Sequence, residues 1–135
     1  MNYWLVKSEP FKYSWDKFEE EKQTFWDGVR NYQARNNLRE MQKGDLVLFY
    51  HSNEDKAVIG IAKVAKEFYQ DPTTEDKNWV VVDLKCVSKL KNPVTLSRIK
   101  QEEQLTQIGL VKQGRLSVMK LTNIEFDRII MLSEN

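Results

Sequence analysis

The sequence predicts an α+β domain: a small barrel or curled sheet, mixed or mostly antiparallel, with short helices packed around it. Three observations point there. At least five stretches read as strands, at 3–7, 45–52, 57–69, 78–87 and 114–121. The gaps between the three central strands are far too short for the crossover of about a dozen residues that a βαβ unit needs. The helical stretches that alternate with the strands are short and are expected to pack around the sheet.

Each element has a local reason. "YWLVK" (3–7) is a strand that Pro10 ends, because proline cannot donate to a ladder. "YSWDKFEEE" (13–21) is a helix with Ser14 as N-cap and acidic residues following. A second helix is predicted over 31–42, where Ala34, Leu38 and Met41 fall on one apolar face. Tyr32, Arg35, Asn36 and Arg39 share another face, and Gly44 is placed as the left-handed C-cap. "DLVLFYHS" (45–52) and "AVIGIAKVAKEFY" (57–69) are strands, and "DPTTED" (71–76) has turn chemistry. In "NWVVVDLKCV" (78–87), Val80, Val82, Leu84 and Cys86 lie on one face, with Asp83 and Lys85 on the other. "NPVTLSRIKQEEQL" holds a loop and a short helix, and "GRLSVMKL" (114–121) is the final strand. The last helix begins with a capping box, Thr122 and Glu125, and a staple, Leu121 and Phe126. Phe126, Ile129 and Ile130 form its apolar stripe.

The 135 residues suit one domain, 1–135. A net charge of +1 lacks the basic excess of a protein that grips long nucleic acid by its phosphates. Any such contact must come from a local patch or from recognition of one nucleotide. The single cysteine, Cys86, excludes an internal disulfide and a Cys-rich zinc site and fits a reducing compartment. The N-terminus turns polar after six residues, unlike a signal peptide, and no apolar run approaches about 20 residues. The expectation is a cytoplasmic, monomeric protein with no metal, no cofactor and no membrane contact.

Three stretches hold residues that a core does not require. "KSEP" gives Lys7, Ser8 and Glu9 at a strand end. "WDGVRNYQARNN" (26–37) mixes Trp26 and Tyr32 with Arg30, Arg35, Asn31 and further amides. "FYHS" gives Tyr50, His51 and Ser52 where a strand leaves the sheet. Aromatic rings offer a stacking surface. Amides carry donor and acceptor together, as a base edge requires, and arginine offers a planar fork. A nucleobase site fits, and so does a sugar site. The blander reading makes Trp26 and Tyr32 core anchors and the amides helix caps. A Ser-His-Asp triad can be written from Ser8 or Ser52, His51 and Asp27, but no nucleophile-elbow pattern supports it.

"YWLVKSEP", "YSWDKF", "WDGVRNYQARNNLREMQKGD", "VLFYHS", "GIAKVAKEFYQDPT" and "RLSVMKL" occur in that order. Together they resemble the EVE domain family, over nearly the whole chain. The resemblance implies a PUA-like fold, related to the YTH and SRA domains, and a pocket that accepts a modified base. The leading candidates are 5-methylcytosine and its oxidised forms in DNA, or a modified RNA base, with free nucleotide as an easier ligand. Carried over by position, the pocket residues are Lys7, Ser8, Glu9, Trp26, Val29, Asn31, Tyr32, Arg35, Tyr50, His51, Ser52, Arg115 and Ser117. Trp26 is expected to stack on the base, and Arg30, Arg39 and Lys43 to meet the nucleic-acid backbone. One departure is Tyr69-Gln70-Asp71-Pro72, where the family often has Tyr-Pro before Asp-Pro-Thr. The alternative is a small amidohydrolase of acylated nucleosides, as in ASCH-type relatives, using Lys7, a hydroxyl and Glu9. A third class, a protein-interaction module without a ligand, calls for a large exposed apolar patch.

Overall fold

Two long strands, linked by the turn at 71–79, dominate the computed structural model, which describes residues 1–135. In chain order the elements are β1 (Tyr3–Ser8), α1 (Trp15–Glu21), β2 (Gln23–Phe25), α2 (Tyr32–Glu40), β3 (Leu46–His51), β4 (Ala57–Gln70) and β5 (Val80–Thr95). Then come α3 (Leu96–Lys100), a single 3-10 turn (Glu103–Leu105), α4 (Gly109–Lys112), β6 (Val118–Leu121) and α5 (Asn123–Ser133). The six strands form one mixed sheet in the order β2-β5-β4-β3-β1-β6. Only β1 and β3 run parallel, and residues 9–45 supply their long crossover. No helix is long and apolar enough to cross a membrane.

The α+β class and the mixed sheet agree with expectation, but the sheet does not close into a barrel. Its edges are β2, three residues long and paired only with β5, and β6, four residues long and paired only with β1. Neither edge strand pairs with the other, so the sheet stays open. Register breaks in the β3–β4 and β4–β5 ladders supply the curl instead.

An aromatic layer packs against the sheet at β3 and β4. Phe18 stacks on Phe49 at 5.4 Å, and the Trp15 ring meets Phe49 edge-on at 5.3 Å. Gly60 makes room for it: a Cβ there would fall 2.4 Å from the Trp15 ring. Trp26 abuts Phe49 edge-on at 5.5 Å, so this layer also fixes the position of Trp26.

Several boundaries differ from expectation. α2 ends at Glu40, and Met41 caps it in extended conformation; Gly44 is not the cap. The buried Asp45 carboxylate accepts the Gln42 N–H at 2.9 Å, along with the Trp4 indole N–H and the Asn2 N–H, and so pulls 41–45 into a turn. Gly44, at φ +97°, makes that turn and donates its N–H to the Val64 carbonyl. β5 runs on to Thr95, through the region read as a loop. It tolerates Pro93 because residues 90–93 have no partners in the β4 ladder. The last strand shortens to Val118–Leu121, since residues 113–116 close a turn of their own. The caps at Ser14 and at Thr122 with Glu125 form as read.

Candidate binding pocket

The C-terminal end of β1 opens onto a cavity of about 420 Å³. That size lies within the range of small-ligand sites, about 300–1,000 Å³. Four segments build it. Lys7, Ser8 and Glu9 come from the end of β1, and Lys12 and Tyr13 from the turn after it. Thr24 to Val29 form the opposite wall, and Ser117 reaches in from before β6.

Backbone hydrogen bonds hold these segments together. Tyr13 and Lys12 donate their N–H groups to the Glu9 carbonyl, which folds the chain back after Pro10. The Ser8 hydroxyl donates to the Tyr13 carbonyl at 2.5 Å. Lys7 N–H donates to the Ser117 carbonyl, and Trp26 N–H to the Val82 carbonyl. Gly28, at φ +78°, turns the wall and donates to the buried carboxylate of Asp71 at 3.2 Å.

The pocket pairs an aromatic side with an ionic one. Tyr13, Phe25 and Trp26 provide rings, with Trp26 only 7% exposed and Phe25 42%. Burial pushes the Lys7 ammonium below its usual range, and its Nζ donates to the Gly114 carbonyl at 2.8 Å. The Tyr13 phenol is held well above the usual tyrosine range, first by burial and then by donating to Glu21 Oε1 at 2.7 Å, so it stays neutral. Glu9 forms a surface pair with Lys12 at 3.3 Å. The Asp27 carboxylate and the hydroxyls of Thr24 and Ser117 complete the polar complement.

Of the residues expected from sequence, Lys7, Ser8, Glu9, Trp26, Val29 and Ser117 line the cavity, and the others do not. Asn31 is the N-cap of α2: its side chain accepts the Ala34 N–H at 2.9 Å. Tyr32 turns outward onto Trp79, ring centroids 5.1 Å apart, and Arg35 lies over Tyr32 while donating to the Asn78 carbonyl. Tyr50 is buried in the core, where burial raises its phenol. Buried His51 accepts the Trp15 N–H at Nε2, 2.9 Å away, so its proton sits on Nδ1, which donates to Asp55 at 2.7 Å. Ser52 donates both N–H and hydroxyl to the Ser8 carbonyl. Arg115 is exposed beside Gly114, outside the lining. With Ser8 bonded to Tyr13 and His51 to Asp55, no Ser-His-Asp triad is assembled. Among the expected backbone contacts, Arg30 is paired with Asp71 at 3.0 Å, Arg39 lies over Phe68, and the Lys43 N–H donates to Glu67.

Sequence reasoning missed Lys12, Tyr13, Thr24, Phe25, Asp27 and Gly28 as lining residues. Pro10 was the available signal for the first two, since a strand stopped by proline beside a short turn must fold back near its own end. Thr24 and Phe25 belong to β2, which is too short to show any periodicity.

The EVE domain profile matches residues 2–132. Thymocyte nuclear protein 1 of Mus musculus is 38% identical, over 98% of this chain and 74% of its own length. A crystal structure of a protein from Agrobacterium tumefaciens is 43% identical with a TM-score of 0.95, covering 98% of this chain and 93% of that one. The human THYN1 protein, crystallised in complex with 5-methylcytosine-containing DNA, is 32% identical with a TM-score of 0.94 over 100% of this chain and 99% of that one. A YTH domain from Zygosaccharomyces rouxii shares the fold at a TM-score of 0.63 and 14% identity, over 98% of this chain and 86% of that one. The aligned regions span nearly every element described above, and the chain belongs to the EVE domain family.

Proposed function

We propose that the cavity accepts one nucleobase extruded from a nucleic-acid strand, and that a cytosine-type edge suits it best. The observation that carries this is the arrangement of the walls. Aromatic residues Tyr13, Phe25 and Trp26 stand beside two acidic residues, two lysines and three serine or threonine residues around a space of about 420 Å³. The human relative's complex with 5-methylcytosine DNA supports the same reading.

The chemistry follows from the base edge. Cytosine presents an exocyclic amine that donates, and Asp or Glu is its natural acceptor. Asp27 and Glu9 supply that group, and Lys7 or Ser117 donates to the ring nitrogen and carbonyl oxygen. Asn31, bonded to its own helix, does not take part. Stacking is worth about 1–3 kcal/mol per base, against a flipping cost of a few kcal/mol. A buried methyl, at about 0.8 kcal/mol, yields roughly fourfold preference for the methylated base.

The test is titration with short strands carrying cytosine, 5-methylcytosine or 5-hydroxymethylcytosine, beside modified RNA. Phe25→Ala should weaken the best ligand about five- to a hundredfold. Asp27→Ala should cost about tenfold and flatten the choice among bases. Unchanged affinity in both variants would remove the cavity from consideration.

One observation favours a second reading, hydrolysis of acylated nucleosides: Lys7, its ammonium lowered by burial, faces the cavity. Against it, the Ser8 hydroxyl is donated to the Tyr13 carbonyl, so it is not free to join Lys7 and Glu9 in a lysine–hydroxyl–carboxylate relay. Turnover of N4-acetylcytidine that vanishes in Lys7→Ala would establish this reading over the first.

A further inference from the structure

The binding reading leaves open where the rest of the strand lies. The arginines of the long motif are already engaged. Arg30 neutralises buried Asp71, and Arg35 is spent on Asn36, Asn78 and the Tyr32 ring. A different cationic surface has no partner within the protein. Lys63 of β4 and Lys85 of β5 are directly opposed in an antiparallel ladder, and both are exposed. Opposed residues place their side chains on the same face, about 5 Å apart at Cβ, where like charges destabilise the sheet. The ion pairs of the molecule, Lys12–Glu9, Arg30–Asp71 and Arg128–Glu102, include neither lysine, and the Asp55 carboxylate is engaged with His51. Two uncompensated ammonium groups side by side are a ready seat for an anion.

Their place relative to the cavity identifies the anion. Lys85 is also opposite Gln23 of β2, and Phe25, two residues further along β2, lines the cavity. Alternate residues share a face, at a spacing of roughly 7 Å. The row containing Phe25 continues through Asp83 to Lys66. The Asp83 carboxylate there is occupied by the Tyr69 hydroxyl at 2.5 Å, and the Lys66 ammonium lies 4.5 Å from the centre of the Tyr69 ring. A chain leaving the pocket past Phe25 passes the Asp83 carboxylate, which keeps its charge under the Tyr69 hydroxyl, and finds its paired cations, Lys85 and Lys63, on the neighbouring row.

Building on the pocket reading, we infer that the strand whose base enters the cavity lays its phosphodiester backbone across the Lys63–Lys85 pair on the exposed face of β4 and β5. A local pair of this kind also reconciles phosphate contact with a net charge of only +1.

The test is the salt dependence of binding, using a six-nucleotide single strand with a central 5-methylcytosine, alongside free 5-methyldeoxycytidine. In the double variant Lys63→Gln, Lys85→Gln, the plot of log affinity against log salt should become shallower by about 1.4, for two single-strand phosphates at about 0.7 each. Nucleoside affinity should not change, and thermal stability should not fall, because a repulsion has been removed. An unchanged slope overturns the inference, as does failure of the unaltered protein to bind the strand. So does an unchanged slope joined to lysine-dependent capture of a polyglutamate peptide. If the lysine variant flattens the slope while Phe25→Ala and Asp27→Ala leave binding intact, the backbone track stands and the pocket reading fails.

Discussion

Residues 26–29 and residues 30–36 belong to one continuous motif of aromatic, amide and arginine side chains, yet they do opposite things. The first half forms a cavity wall. The second half folds onto the turn between β4 and β5: Arg30 grips Asp71, Tyr32 covers Trp79, and Arg35 reaches the Asn78 carbonyl. Asp71 joins the two halves, because it also accepts the Gly28 N–H. Residues of recognition type thus serve equally well as a latch. What separates the roles is whether a side chain already has a partner inside the protein.

The contrast can be broken most severely at Trp26. It is 7% exposed and packed on Phe49, so Trp26→Ala should cost about 3–5 kcal/mol of stability in urea unfolding. Its binding loss then reports a damaged wall as well as a lost ring, which is why Phe25 is the cleaner probe of stacking. A loss under about 1 kcal/mol would mean that Trp26 is not tied to the core.

Next comes the latch. Burial pushes the Asp71 carboxyl up, but hydrogen bonds from the Thr73 hydroxyl and N–H, from Arg30 and from Gly28 outweigh it and hold the carboxyl below its usual value. Asp71→Asn should therefore cost about 1–3 kcal/mol at neutral pH. The sign of the pH effect follows. A group with a depressed folded value stabilises fully above its unfolded value, about 3.9, and that contribution fades as pH falls through the folded value. The gap between the two proteins should be constant from pH 6 to 8 and shrink below about pH 4. A gap that widened on acidification would contradict the assignment.

The smallest effect belongs to Tyr32→Ala. Loss of the Trp79 contact should cost about 0.5–1.5 kcal/mol in thermal unfolding, with nucleoside affinity unchanged. A matching fall in nucleoside affinity would move Tyr32 from the latch to the ligand.

Within the motif, the sequence distinguished the residue types well and their directions poorly. The blander reading of the amides holds for Asn31, which caps α2. The blander reading of Trp26 holds in part, since the ring both anchors the core and borders the cavity. His51 at a strand end invited a chemical role, but both its ring nitrogens are engaged in fixing the start of α1 and the turn after β3. That role depends on the Trp15 amide, 36 positions away in the chain, and no local pattern announces it.

By itself the sequence determined the elements whose causes are local. Ser14 and the Thr122–Glu125 box start their helices, Pro10 stops β1, and the alternation at 80–86 marks a strand; each acts within a few residues of itself. The order of the long motifs also carried the family. Tertiary structure alone decided which side chains share the cavity and which face away. That outcome depends on ladder register, which brings Ser117 to Lys7, Val82 to Trp26 and Lys85 to Lys63 across tens of residues. A one-residue slip in any of those ladders would turn the same residues to the opposite face.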